Sequence, residues 1–190
     1  MSAISRVIAP FLKNEEGSQS IELVVMAPLL VWAIVAMLAF TDAFRARAIA
    51  ADATSVIADA VSRQTYPINS DYLSGLQSVA GHLTGYGDSI GVRITQISCT
   101  KRCRKPSKRE LTVSFSQGKG LSPLGNADFK SGDLRERVPR LSRGDRIVLV
   151  ETVFVHKPLM NIGLKESKIE MSQTTRMRFA PQLCWERCDV

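Results

Sequence analysis

Leu23 to Phe40 is a run of eighteen residues without a single charge. As a helix rising about 1.5 Å per residue it measures roughly 27 Å, close to the roughly 30 Å hydrocarbon core of a bilayer. A proline, Pro28, lies within it. In water a mid-helix proline breaks the helix; in lipid it is tolerated as a kink. Trp32 falls mid-run, away from the interfaces where belt aromatics gather. These features predict one transmembrane helix over about 22–41, and an appendage-plus-domain plan for the chain. About 150 residues follow, enough to bury a core of their own.

A cleavable secretory signal is the alternative to an anchor. Its apolar core is normally about 7–15 residues long, preceded by a basic region. Here the run is longer, and Glu15 and Glu16 stand where basic residues belong. Small residues occur at 45–48, but arginines interrupt them. Flanking charge orients the helix weakly, since Arg6 and Lys13 before it balance Arg45 and Arg47 after it. The cysteines decide. All four follow the run, as Cys99 with Cys103 and Cys184 with Cys188. An even count suits disulfides in an oxidising compartment, which places the N-terminus in the cytoplasm and the rest outside it. Zinc is the rival reading, but C-x3-C is unusual spacing for a structural site. Four cysteines allow three connectivities, and the sequence does not choose among them.

Residues 41–64 contain neither proline nor glycine, and alanine dominates. Apolar residues recur near helical spacing at Phe44, Ala48, Ile49, Ala51, Val56, Ile57 and Ala60. One continuous helix from about Ser18 to Gln64 is expected, its second half packed on a sheet. Tyr66-Pro67 ends it. A short helix follows over about 71–83, capped by Asn69 or Ser70. Alternation at Ile90, Val92 and Ile94, and again at Leu111, Val113 and Phe115, predicts two strands joined as a hairpin. Residues 117–145 read as a long, exposed, irregular segment. "DRIVLVETVFVHKPLM" is the strongest strand, ended by Pro158. A fourth strand follows over 167–179, with a slip in alternation near Gln173 that suggests a bulge. The fold class is α+β: a long helix against about four antiparallel strands. "CWERCDV" looks like a chain end tied down by a bridge.

Chemistry-bearing motifs are scarce. "KRCRKPSKR", 101–109, packs six basic residues into nine, and the whole chain carries +7. Such charge can meet headgroups, wall polymer or nucleic acid, but aromatic residues are not interleaved for base stacking. It reads as a solvated hairpin tip, and no nucleic-acid partner is expected. His82 and His156 lack neighbours at metal-ligand spacing and read as structural. Glu151 and His156 share a strand at odd separation, so they face opposite sides and form no dyad. "GYGDSIG" precedes a strand instead of following one, so it fails as a nucleotide loop. No enzyme motif, metal or cofactor is expected.

There remains "EEGSQSIELVVMAPLLVWAIVAMLAFTDAF". Glu22 lies at the edge of the apolar run, five residues after Gly17. A carboxylate entering lipid costs a few kcal/mol and needs a partner. "EEGSQSIE" resembles the processing site of type IV prepilins, in which a short charged leader ends in glycine and a glutamate takes the fifth mature position. More narrowly, residues 11–60 resemble TadE/TadF-like pseudopilins of the tight-adherence (Flp) pilus system, matching at Gly17, Ile21-Glu22 and Pro28. The polar Gln19 and Ser20 depart from that pattern. The resemblance implies a leader over 1–17, cleavage between Gly17 and Ser18 by a prepilin peptidase, and an exported head over 65–190. The partners implied are other pilin or pseudopilin subunits, an inner-membrane pilus platform and the bilayer. Glu22 would pair with the free α-amine of a neighbouring subunit. A signal-anchored envelope protein that binds a ligand through 101–109 is the alternative, and an exported enzyme the third reading.

Overall fold

A computed structural model describes residues 18–105, 108–130, 132–158 and 164–188. Helix α1 spans Ser18–Ser62 and runs through Pro28. Helix α2 spans Ser70–Thr84. Strands β1 (Gly91–Lys101) and β2 (Glu110–Lys119) follow, then a one-turn helix α3 (Asp133–Arg137), β3 (Arg146–His156) and β4 (Ser167–Thr175). The protein is α+β, and its four strands form one antiparallel sheet in the order β2-β1-β3-β4.

Ala43–Lys157 and Lys165–Val190 form one compact unit; α1 up to Asp42 belongs to another. Within the first of these, α1 covers one face of the sheet. Its buried stripe is Ala46, Ala50, Ala53, Thr54, Ile57, Ala58 and Val61, an i, i+3, i+4, i+7 row. The row differs from the one expected from sequence: Phe44, Ala48, Ala51 and Val56 are exposed. Alanine is spread all round this helix, so apolarity alone does not select a face. Small side chains do, because they let the helix approach the sheet. Thr54 Oγ1 lies 2.6 Å from Thr152 Oγ1 on β3, and Thr54 also donates to the Ala50 carbonyl. Around this contact Ile57 and Val61 pack with Val92, Ile94, Val148, Val150, Phe154 and Ile169.

Helix α2 closes the edge of this core with Leu73, Leu76 and Ala80. Asn69 is its N-cap, accepting from the Tyr72 N–H at 2.9 Å. Gly85 ends it at φ 78°, a conformation glycine adopts without steric cost. Gly81 is needed for a different reason: a Cβ there would meet the Gly87 carbonyl oxygen at 2.2 Å. The glycines of "GYGDSIG" therefore shape a tight helix-to-strand turn.

The opposite face of the sheet is also covered. Ile97, Cys99, Leu111, Ile147 and Leu149 pack there with Phe129, Val138 and Leu141. Those last three belong to 117–145, so this segment is not the wholly exposed loop predicted. Its irregular backbone seals a second core, because a sheet with apolar residues on both faces needs two covers. The β1–β2 pairing shifts between Gln96 and Ile97. Leu111 and Val113 oppose Cys99 and Ile97, whereas Phe115 opposes Gln96 and joins the helix-side core. The alternation in "ELTVSF" thus serves two faces. No shift interrupts the β3–β4 pairing; the expected bulge near Gln173 is absent, and the change in alternation reflects the strand's end at Thr175.

One buried ion pair lies on the second face. Arg93 and Glu151 are direct cross-strand partners, joined at 2.7 and 2.8 Å, with side chains 13% and 5% exposed. Arg137 reaches the other carboxylate oxygen at 3.9 Å. Removing one member of such a pair strands the other charge, whereas a matched apolar replacement is tolerated. Glu151→Ala should cost roughly 3 kcal/mol, lowering Tm by roughly 6–12 °C for a domain of this size. Arg93→Met with Glu151→Leu should recover most of that loss. Thermal unfolding of the full chain in detergent, followed by near-UV circular dichroism, measures both.

Candidate functional site

The first half of α1 carries most of the large exposed apolar side chains among the described residues. Every described side chain from Ser20 to Ile34 is exposed, Leu23 at 70% and Trp32 at 62%. The helix is long and apolar enough to cross a membrane. Ten Leu, Ile, Val and Phe residues between Leu23 and Phe40, at roughly 0.3–0.6 kcal/mol each on an insertion scale, outweigh one carboxylate near the helix end, which costs about 3 kcal/mol even at the bilayer centre. Thr41, the first polar residue after the run, donates to the Met37 carbonyl at 2.8 Å. That bond satisfies its hydroxyl without water. Pro28 removes one backbone donor from the ladder, and the helix continues past it.

Gly17 lies outside the described residues, as does the expected leader 1–17 as a whole. Ser18 is the first residue of α1. Glu22 is exposed one turn further on, and no cation among the described residues pairs with it. It is the only charge between Ser18 and Phe40.

The cysteines form the two local bridges, Cys99–Cys103 and Cys184–Cys188. The second ties the C-terminal segment, as "CWERCDV" suggested. Ile68 donates to the Cys184 carbonyl at 2.9 Å and accepts from the Glu186 N–H at 2.8 Å. Leu183 is buried and its N–H donates to the Gln96 side chain at 2.6 Å. Arg178 adds a bond from its N–H to the Ser62 carbonyl and an ion pair to Asp59, both at 2.8 Å. Asp59 also meets Arg63 at 2.8 Å, an i, i+4 pair on the same helix.

The first bridge closes the base of the basic loop, and the loop is not uniformly solvated. Lys101, Arg102, Arg104, Lys105 and Lys108 are exposed, but Arg109 is buried. Its guanidinium donates to the carbonyls of Pro139 at 2.7 Å, Val138 at 2.6 Å and Arg135 at 2.5 Å. Burial, and then the like charge of Arg135, hold its pKa below the usual arginine value. Nothing in the charge run distinguishes Arg109 from its neighbours; the distinction comes from contacts with 135–139. Those contacts pin the segment that covers the second core.

Glu151 and His156 occupy opposite faces of β3. Glu151 meets Arg93, while His156 Nδ1 lies 2.6 Å from the Tyr86 hydroxyl. Among the described residues no three His, Cys, Asp or Glu side chains converge as a metal site. Comparison with protein-family models, with characterised proteins and with solved structures returns no match.

Arg109→Ala should leave three carbonyls short of their donor and cost roughly 3 kcal/mol. It should also open 132–143 to trypsin. Arg104→Ala, at an exposed position of the same loop, should change stability by less than about 0.5 kcal/mol. Limited proteolysis and thermal unfolding of the two variants side by side check the contrast; equal effects would make Arg109 one more surface charge.

Proposed function

We propose that this chain is a minor pseudopilin of the TadE/TadF-like kind, taking part in the assembly of an adhesive tight-adherence (Flp, type IV) pilus. It is made as a prepilin whose leader, 1–17, is removed between Gly17 and Ser18 by a prepilin peptidase. The helix over about 22–41 holds it in a bacterial inner membrane, with the N-terminus cytoplasmic and the disulfide-bonded head periplasmic. Its partners are other pilin or pseudopilin subunits and the membrane platform of the pilus. It carries no chemistry of its own; Gly17 and Ser18 are substrate residues for the peptidase.

The observation that carries this reading is the spacing of Gly17 and Glu22 against an exposed apolar half-helix. After cleavage Ser18 bears a free ammonium. A neighbour displaced along the helix axis brings that ammonium to Glu22 inside a low-dielectric layer. There the attraction between the two is strong, and a lone charge is costly. Apolar side chains alone give little preference for one axial offset over another, because lipid tails match them as well as a neighbouring helix does. The ion pair supplies the offset.

Glu22→Ala should leave membrane insertion intact, since it removes a cost of entry, and should reduce cross-linked oligomers of the full-length protein in membranes at least about tenfold, equivalent to roughly 1.4 kcal/mol or more of lost pairing. Glu22→Asp should retain part of the signal. Unchanged cross-linking in Glu22→Ala would remove the docking role.

A further inference from the structure

The exposed part of the basic loop does not stand alone. Arg102, Arg104, Lys105 and Lys108 line an open cleft of about 650 Å³ together with Cys103, Leu141, Ser142 and Arg143. Among the described residues five cations thus face one concavity, and no acidic residue lines it. None of the five forms an ion pair with a carboxylate among the described residues. Elsewhere in this head, ion pairs are common: Arg63, Arg93, Lys101, Arg137, Lys157, Lys168, Arg176 and Arg178 all have carboxylate partners. The cleft thus gathers five cations that have no carboxylate partner among the described residues, whereas eight other cations of the head have one.

The cleft is also braced. Cys103 and Leu141 are buried in the second core, and the Cys99–Cys103 bridge closes a short ring that contains Arg102 at φ 55°. That backbone conformation is uncommon for a non-glycine residue and persists only where its surroundings impose it. The Gly144 N–H donates to the Cys99 carbonyl at 3.1 Å, clamping 141–144 against the end of β1. Arg109 pins the loop's other end from below. Residues distant in sequence, 102–105 with Lys108 and 141–143, thus line one wall together.

We infer that this cleft binds a polyanion carrying closely spaced phosphate groups. Three of the five cations are arginines, whose planar fork matches phosphate in a bidentate mode. An array of five exceeds what one phosphate can engage. Base stacking has no platform in the lining, so the phosphate backbone itself is the feature recognised. The inference is independent of the pilus reading and holds for any exported head of this sequence.

The test uses the full chain in non-ionic detergent with inorganic polyphosphate as the probe, titrated by calorimetry at several salt concentrations. Affinity should fall with salt with a log–log slope of roughly −0.7 per phosphate contacted. Arg104→Glu with Lys105→Glu, both exposed, should weaken binding at least about tenfold near 0.15 M salt and flatten the slope by roughly 1.4. Lys165→Glu with Lys168→Glu makes the same change in net charge at a distant site and should leave binding within about twofold. Near-UV circular dichroism confirms that each variant folds. Equal weakening by both pairs would mean that only overall charge matters and would overturn the proposal. So would no weakening in the first pair, or tighter binding of a single-stranded oligonucleotide of equal charge than of polyphosphate.

Discussion

The close approach of α1 to the sheet is the constraint on which the folded head depends. Ala46, Ala50, Ala53 and Ala58 keep the helix surface low, and the Thr54 and Thr152 hydroxyls meet directly between helix and sheet. A hydroxyl pair buried between helix and sheet is tolerated only because each group has a partner: Thr54 also bonds its own helix at Ala50. From that seam the rest follows. β1 and β3 take the middle of the sheet, α2 and the C-terminal segment close its borders, and the face away from α1 is left for 120–141 to cover.

One continuous helix carries two kinds of surface. From Ser20 to Ile34 its side chains are exposed and almost wholly apolar; from Ala46 a narrow row of small residues is buried. The first half needs a non-aqueous environment, and the second needs a sheet. Glu22 belongs to neither demand. In the pseudopilin reading proposed above, a partner supplied from outside the chain accounts for its presence at the start of the apolar half.

Much of this was legible in the sequence, and the exceptions have physical reasons. The fold class, the four strands, Asn69 as a possible cap and the helix stop before Tyr66-Pro67 follow from period, turn chemistry and capping. The buried face of α1 was not legible, because alanines surround that helix and packing, not apolarity, picks the face. The bulge opposite Gln96 was hidden because "ELTVSF" alternates smoothly whichever face Phe115 takes. Arg109 looked like its charged neighbours until the carbonyls of 135–139 were seen to surround it. The cleft needed Arg143, which lies 34 residues beyond Arg109 and meets the loop only through the fold. Among the candidate assembly residues, the structure adds the exposure of Glu22 and the unbroken helix at Pro28.

The most direct measurement is the N-terminal mass of the protein extracted from membranes of cells that make it with its pilus machinery. The account predicts a mature chain that begins at Ser18, with its amine available to the next subunit's Glu22. A chain still starting at Met1, or one trimmed near residue 48, would contradict it.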